Sequence, residues 1–174
     1  MPNIVLVGFM GTGKTSVGQR LSEQLKMPLI DTDEVVERDS GMRIADIFAQ
    51  YGEPYFRELE SAAVRLVSGL DNHVISTGGG VVLRVSNLEA LKRNGVVFCL
   101  TATPEEIWRR VGHETHRPLL QTPDPLGKIR QMLAERAPYY ARADYEIQTT
   151  GLSVEAIVDK IISYPNMEAK VRVS

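Results

Sequence analysis

The stretch VLVGFMGTGKTSVG, from Val5 to Gly18, decides the fold class of this chain. Within it, Gly8–Thr15 matches the pattern G-x-x-x-x-G-K-[ST], with an apolar strand pattern before it and a helical pattern after it. The glycines let backbone N–H groups turn inward around phosphate at a helix N-terminus. Lys14 then reaches the outer phosphates, and the Thr15 hydroxyl can ligate Mg²⁺. The stretch therefore predicts a nucleotide-phosphate site at the start of an α/β domain.

Further apolar runs, with helical segments between them, indicate a parallel α/β sheet. Short continuous apolar runs are typical of strands that are covered on both faces. The predicted strands are Ile4–Val7, Pro28–Thr32, His73–Thr77, Val96–Thr101 and Tyr145–Thr149. The predicted helices are Ser16–Lys26, Asp46–Leu70, Ser86–Asn94, Pro104–Val111, Pro125–Ala141 and Val154–Ser163. Between Asp33 and Leu70 two helical stretches follow each other with no strand, which predicts an insert that walls an acceptor site or, alternatively, only adds packing.

Length and composition indicate one domain without a strongly charged surface. The 174 residues are 43% hydrophobic and carry 20 basic against 22 acidic side chains. Such a chain has no overall positive field for nucleic acid or anionic membranes. No apolar run approaches the roughly 20 residues that cross a bilayer, and the one cysteine, Cys99, lies in an apolar run that suits a reducing compartment. We expect a soluble cytoplasmic protein that binds neither nucleic acid nor membrane and is monomeric by default.

Two aspartates after the second predicted strand are candidates for a metal ligand and an acceptor contact. Asp31 ends the strand, and ligands of doubly wound sheets gather at the carboxyl ends of the strands. It is therefore the candidate carboxylate for Mg²⁺, with capping of the next helix as the alternative. Asp33 would point the same way as Asp31 if the chain stays extended, which makes it the first candidate to face an acceptor.

Three arginines and a glycine triplet suggest an anionic substrate. Arg57 has Glu60 at i+3, where a carboxylate can orient the guanidinium, while Arg117 lies in a polar, proline-bearing stretch and Arg136 in LAERAPYY. Guanidinium suits paired bonds to a carboxylate or phosphoryl group, although each arginine alone fits a surface ion pair as well. Gly78–Gly80 follows the third strand, where bare backbone can approach a ligand or simply form a flexible turn.

Elimination among phosphate-binding classes favours phosphoryl transfer to a small molecule. A guanine-nucleotide switch would usually carry an N-K-x-D element, and this string does not occur in the sequence. A mechanical ATPase would need more chain and a longer apolar strand ending in acidic residues. A gluconate-type or nucleoside-monophosphate-type kinase of the same fold remains an alternative, as does a nucleotide-binding regulator that does not turn over.

Taken in order, these residues closely resemble shikimate kinase. The resemblance runs from about Ile4 to Ile162 and is carried by the strings GFMGTGKTSVG, DTDEVVE, IADIFAQYGEPYFRELE, STGGGVV, RPLL and ERAPYYARAD. It implies a P-loop fold of the nucleoside monophosphate kinase type with strand order 2-3-1-4-5. It also implies a single kinase domain over residues 1–174, with a substrate-binding insert at about 33–60 and a mobile lid at about 112–124. The implied reaction moves the γ-phosphoryl of ATP, with Mg²⁺, to the 3-hydroxyl of shikimate in aromatic amino-acid biosynthesis.

The resemblance further implies a role for each candidate residue. The implied catalytic residues are Asp33, which binds the reacting hydroxyl, Lys14, and Arg117, which reaches the phosphates from the lid. The implied nucleotide site consists of Gly11, Thr12, Gly13, Lys14, Thr15, Ser16, Arg117 and Arg110, which stacks on adenine. Arg57 and Arg136 grip the shikimate carboxylate, with Gly78, Gly79 and Gly80 lining the pocket. Thr15 ligates Mg²⁺ directly and Asp31 does so through water.

The expected mechanism makes modest demands on the basicity of Asp33. Phosphoryl transfer passes through a loose transition state, so positioning and charge neutralisation outweigh the strength of the base. We expect Asp33 to align the hydroxyl and to take its proton late, for which an ordinary carboxylate pKa near 4 suffices.

Overall fold

A five-stranded parallel sheet forms the centre of the computed structural model, which describes residues 1–114 and 121–164. The strands are β1 (Asn3–Val7), β2 (Leu29–Asp31), β3 (Val74–Ser76), β4 (Gly95–Thr101) and β5 (Tyr145–Gln148). Their spatial order is β2-β3-β1-β4-β5, and every neighbouring pair is parallel. The predicted α/β class, the five strands and the implied strand order are therefore confirmed.

The strands are apolar throughout because helices cover both faces of the sheet. All five residues of β1 are buried, and alternate side chains of this strand enter opposite hydrophobic clusters. Val5 lies between Ile75 and Val97 on one face, whereas Ile4 lies between Val74 and Val96 on the other. This two-residue alternation is what the pleat of a strand dictates.

Helices form a layer on each face of the sheet. Those in the described residues are α1 (Lys14–Leu25), α2 (Thr32–Ser40), α3 (Ile44–Tyr51), α4 (Glu53–Ser68), α5 (Val85–Arg93), α6 (Pro104–Val111), α7 (Pro125–Tyr140) and α8 (Val154–Ile162), with a 3-10 helix at Val81–Leu83. Helices α1 and α8 pack on one face, and the core of the other face includes side chains of α2 to α7. No helix in these ranges is both long enough and apolar enough to span a bilayer.

The insert after β2 contains three helices rather than the two predicted helical stretches. The prediction of one helix over Asp46–Leu70 is wrong, because α3 ends at Tyr51 and α4 begins at Glu53. Gly52 separates them with φ 82° and ψ 172°, a conformation that glycine adopts without strain. Pro54 follows in the first turn of α4, where its missing N–H would have had no partner in the helix.

Asp31 turns the chain from β2 directly into α2. Its Oδ1 accepts hydrogen bonds from the backbone N–H groups of Asp33, at 2.7 Å, and of Glu34. Helix α2 already begins at Thr32, so the chain does not stay extended as far as Asp33. The alternative interpretation of Asp31 as a helix cap is thus what the structure shows, and the cap uses only one of its two carboxylate oxygens.

Candidate active site

A cavity of about 370 Å³ lies at the carboxyl ends of β1, β2 and β3. The loop after β1 contributes Met10, Gly11 and 13–16, the end of β2 contributes Asp31 and Asp33, and the end of β3 contributes 76–79. Arg110, Val111 and Glu114 close another side. Ligands of open α/β sheets bind in this position, where connections to the two sides of the sheet diverge. The cavity is therefore the candidate ligand site.

The loop after β1 has the backbone of a phosphate cradle. Gly11 and Gly13 adopt φ values of 74° and 98°, which side-chain-bearing residues rarely adopt. Helix α1 begins at Lys14 with no side chain capping its N-terminus, so its first N–H groups remain available to an anion. Thr12 Oγ1 donates to Phe9 O at 2.7 Å, and Lys14 Nζ donates to Phe9 O at 3.0 Å. These contacts lie within the loop and fix its conformation.

Oxygen ligands that suit Mg²⁺ line the same cavity. The Thr15 hydroxyl and the Asp31 carboxylate both lie there with Lys14. Mg²⁺ prefers such oxygen ligands and usually combines one or two carboxylates with phosphate oxygens. Because the described residues contain no cluster of three or more metal-binding side chains, nucleotide phosphates would have to complete the coordination. The residues present therefore fit a magnesium ion that arrives with a nucleotide.

Asp33 presents an unusual carboxyl group to this cavity. Burial raises the pKa of Asp33 to about 7; the charges of Asp31 and Glu60 add to the effect, and Lys14 opposes it. This pKa lies above the ordinary carboxylate value near 4 that would already suffice for the expected late proton transfer. Asp33 Oδ1 is buried and has no hydrogen-bond partner within residues 1–114 and 121–164. A buried oxygen without a partner is costly, so this atom is suited to accept a proton or a hydrogen bond from a ligand.

Arg57 and Glu60 form a buried ion pair on α4. Arg57 Nη1 donates to Glu60 Oε1 at 2.9 Å, and the two side chains are 14% and 1% exposed. The predicted orientation of Arg57 by Glu60 is confirmed, and this burial does not fit the surface-pair alternative. Burial raises the pKa of Glu60, while Arg57 opposes the rise. Glu60 Oε2 has no hydrogen-bond partner in the described part of the chain.

The Gly78–Gly80 loop separates these charged groups. A Cβ atom on Gly78 would lie 2.8 Å from Asp33 Oδ1 and 3.3 Å from Glu60 Oε2, so the bare glycine makes room for both carboxylates. A Cβ atom on Gly80 would lie 2.5 Å from Arg57 Nη1. The distances to Asp33 Oδ1 and Arg57 Nη1 are shorter than real Cβ contacts, so a side chain at either glycine would displace the neighbouring charged group.

Arg136 and Tyr140 reach the same loop from α7. The Arg136 guanidinium lies over the ring of Phe9, with Cζ 5.6 Å from the ring centroid. Its Nη1 is 3.6 Å from where a Cβ atom on Gly79 would be, and Tyr140 Oη donates to Gly79 O at 2.7 Å. Arg136 thus contacts both the phosphate loop and the glycine loop.

The structure brings most of the predicted site together around one cavity. Lys14, Asp33, Gly78 and Gly79 line it directly, with the other phosphate-loop residues named above. Arg57 and Arg136 are not among its lining residues but lie against Gly80 and Gly79, respectively. Sequence reasoning missed the lining residues Ser76, Thr77, Val111 and Glu114, and it also missed Tyr140. The only available signal for Tyr140 was its position one helical turn after Arg136.

Arg110 joins the phosphate loop to the segment after β5. Its Nη1 donates to Gly11 O at 3.0 Å and to Thr149 Oγ1 at 3.2 Å, and its Nε donates to Glu106 Oε1 at 2.9 Å. Three protein contacts therefore hold the guanidinium in place, and its stacking on adenine stays a prediction. Arg117 and residues 115–120 of the predicted lid lie outside the described residues.

Comparisons with known proteins identify the family. A family model described as shikimate kinase matches residues 10–165. The shikimate kinase of Caldanaerobacter subterraneus subsp. tengcongensis is 50% identical over 162 residues, which cover 93% of this chain and 95% of that protein. The structure of Acinetobacter baumannii shikimate kinase in complex with shikimate superimposes with a TM-score of 0.88 at 37% identity, covering 93% of this chain and 91% of that one. The Aquifex aeolicus enzyme gives a TM-score of 0.80 at 36% identity, with 92% and 94% covered. With a phosphate loop, a P-loop kinase sheet and a family match over most of its length, the chain belongs to the shikimate kinase family.

Proposed function

We propose that the chain transfers the γ-phosphoryl group of ATP to the 3-hydroxyl of shikimate, forming ADP and shikimate 3-phosphate for aromatic amino-acid biosynthesis. One observation carries this proposal: Lys14 of the phosphate loop and the carboxyl of Asp33 line the same cavity. A phosphoryl donor and a hydroxyl acceptor can therefore be bound side by side. The family supports the choice of ligands, because its members use ATP and one solved relative contains shikimate.

The donor side consists of the phosphate loop and the groups beside it. Backbone N–H groups of 11–16 and the ammonium of Lys14 hold the phosphates at the N-terminus of α1. Thr15 would ligate Mg²⁺ directly and Asp31 through water, and the bound ion neutralises charge on the phosphates. Arg110, held against the loop, stacks on the adenine. In this proposal Arg117 reaches the phosphates from a lid at about 112–124 within a single kinase domain.

The acceptor side lies between the insert, at about 33–60, and the glycine loop. Arg57, which lies against Gly80, and Arg136, which lies against Gly79, bind the shikimate carboxylate, and the backbone of Gly78–Gly80 lines the pocket beside them. The unpartnered oxygen of Asp33 accepts a hydrogen bond from the 3-hydroxyl. Two guanidinium groups are the reason for choosing a carboxylic acid substrate rather than a neutral sugar.

The chemical step needs alignment more than basicity. As the 3-hydroxyl oxygen bonds to the γ-phosphorus, the bond from that phosphorus to the β–γ bridging oxygen breaks and ADP leaves. The hydroxyl proton passes to Asp33, which later releases it to water. Because the Asp33 pKa of about 7 lies near neutral pH, both the uptake and the release of this proton are accessible.

An ADP-release assay with matched acceptors tests the proposal. The protein is given ATP and Mg²⁺ with shikimate, gluconate, AMP or no acceptor. We expect ADP release with shikimate well above the other three reactions. Preference for gluconate or AMP would replace shikimate by the corresponding substrate. Nucleotide binding without turnover on any acceptor would identify a regulator instead.

A further inference from the structure

Each carbonyl of the Gly78–Gly80 loop has a hydrogen-bond donor, but only one of these donors is a side chain. Gly78 O accepts from Val81 N at 3.2 Å, and Gly80 O accepts from Leu83 N at 3.1 Å, both within the turn that follows the loop. Gly79 O accepts from Tyr140 Oη at 2.7 Å. The middle peptide of the loop is therefore held by a residue 61 positions away in the sequence.

Tyr140 is a buried residue whose hydroxyl serves as a hydrogen-bond donor at neutral pH. It is the last residue of α7 and is 8% exposed. Burial raises the pKa of its phenol, although neighbouring Arg136 opposes the rise, so the hydroxyl keeps its proton at neutral pH. Arg136 lies one helical turn earlier on α7, and its Nη1 is 3.6 Å from the Cβ position of Gly79. The phenol and the guanidinium thus meet the loop at the same glycine.

Holding the Gly79 carbonyl also orients the groups on either side of it. The peptide between Gly79 and Gly80 is trans, so its N–H points away from the carbonyl that Tyr140 binds. The Gly80 N–H donates to no partner within the described ranges. Gly80 in turn lies against the Arg57 guanidinium. The hydrogen bond from Tyr140 therefore sets the direction of the Gly80 N–H. It also fixes the position of Gly79, beside Arg136, and of Gly80, beside Arg57.

We propose that Tyr140 is a positioning residue for the acceptor, in that its hydroxyl sets the geometry of the glycine loop and Arg136 and thereby the affinity for shikimate. Tyr140 does not line the cavity and acts through Gly79. This role deepens the proposed function and rests on it. Because the donor loop has its own internal hydrogen bonds, loss of the phenol should leave ATP binding in place.

The substitution Tyr140→Phe tests this role because it removes only the hydroxyl. Tyr139→Phe is the matched control, since Tyr139 immediately precedes Tyr140 on α7 and its hydroxyl has no hydrogen-bond partner in the described part of the chain. We expect Tyr140→Phe to raise the KM for shikimate about 10-fold, the loss that follows when one buried acceptor is left unsatisfied. The KM for ATP should change less than about twofold, and Tyr139→Phe should match wild type in both constants. Calorimetric titration with shikimate alone gives a second readout that does not depend on turnover.

Several outcomes would overturn the role of Tyr140. An unchanged shikimate KM, an equal rise in both KM values, or a variant that does not fold would assign the hydroxyl to general stability. A wild-type protein that neither binds nor phosphorylates shikimate would overturn the proposed function, and the role of Tyr140 with it. An active wild type with an unaffected Tyr140→Phe variant would overturn the role of Tyr140 alone.

Discussion

The donor and acceptor sides of the cavity are built in opposite ways. The phosphate loop on the proposed donor side is one continuous segment, Gly8–Ser16, with hydrogen bonds inside it, as from Thr12 Oγ1 to Phe9 O, and one from outside, from Arg110 Nη1 to Gly11 O. The acceptor side is assembled from α2, α4, the glycine loop and α7, and its carboxylates at Asp33 and Glu60 each keep one buried oxygen without a partner in the described ranges. The phosphate loop thus depends mostly on contacts within one segment, whereas the acceptor side depends on contacts between distant segments.

This contrast shows where sensitivity to mutation should lie. A loop formed by one segment depends mainly on its own backbone conformation and should tolerate most changes elsewhere. The acceptor side is assembled from four segments, so the loss of one contact between them disturbs the site. Buried polar groups are costly unless their partners stay in place. We therefore expect substitutions on the acceptor side to reduce shikimate binding or turnover while ATP binding stays close to that of wild type.

The largest effect is expected from Asp33→Asn. Asparagine keeps the shape of the side chain but cannot take the hydroxyl proton, so turnover should fall about 100- to 10,000-fold. ATP affinity, measured by titration, should stay close to wild type. The control Asp39→Asn changes an exposed aspartate of the same helix, which pairs with Arg38 at the surface. Normal turnover in Asp33→Asn would remove Asp33 from the catalytic role.

The next largest effect is expected from Arg57→Ala. The variant leaves Glu60 buried without its partner, so both shikimate affinity and the free energy of unfolding should fall by about 2–5 kcal/mol. Arg84→Ala is the control, because Arg84 pairs with Glu58, whose side chain is 69% exposed, and such pairs contribute less than about 1 kcal/mol. Calorimetry and urea unfolding measure the two quantities.

A double variant separates the two effects of Arg57. In Arg57→Met/Glu60→Leu no buried charge is left unpaired, so stability should return towards wild type while shikimate affinity stays low. Recovery of shikimate affinity in this variant would contradict a carboxylate-binding role for Arg57.

The third effect is the dependence of the free energy of unfolding on pH, measured in protein free of nucleotide and metal. Asp33 has a pKa of about 7 in the folded chain, above the value of 3.8 that is usual for an aspartate in contact with water. Between these pH values the folded chain holds a proton that the unfolded chain has lost, so the free energy of unfolding falls as pH rises from about 4 to about 7 and then levels off. Asp33→Asn removes this dependence. Its free energy of unfolding should therefore exceed that of wild type by roughly 1–4 kcal/mol across this pH range. Urea unfolding of both proteins at several pH values checks this, and parallel profiles would contradict the raised pKa.

The smallest effect is expected from Gly80→Ala. Gly80 has φ −96°, which alanine also adopts, so the cost comes only from the added methyl group, 2.5 Å from Arg57 Nη1. The guanidinium must shift, and we expect shikimate affinity to fall about 10-fold with ATP affinity unchanged. Gly69→Ala is the control, since Gly69 has φ −81° and an added Cβ atom would lie 3.5 Å from its nearest neighbour, Leu66 O. Equal affinities in the two variants would mean that Arg57 tolerates displacement.

The sheet could be predicted because its information is local. Each strand is a short apolar run, as in the fully buried β1, and the phosphate-loop pattern fixes what precedes and follows it. The break between α3 and α4 at Gly52 was missed, since apolar residues recur with helical spacing on both sides of it. A single glycine is tolerated within many helices, and only the observed φ of 82° shows that the chain turns there.

The acceptor side could be predicted only in part. Residue type and position along the chain nominated Asp33, Arg57 and Arg136, because carboxylates and guanidinium groups suit a hydroxylated acid. The raised pKa of Asp33 could not be predicted, since it results mainly from burial, with smaller contributions from nearby Asp31 and from Glu60, which approaches from another helix. Tyr140 was missed for the same reason, because its partner is a backbone carbonyl far away in the sequence.

The sequence by itself determined the α/β class, the phosphate loop and the kind of chemistry, because these depend on residues that are neighbours along the chain. Only the tertiary structure decided which oxygens are left without partners, how Asp33 titrates and which side chain holds the Gly79 carbonyl. Burial and long-range hydrogen bonds exist only after packing has brought distant segments together, and the free energy of a charged or polar group depends on both.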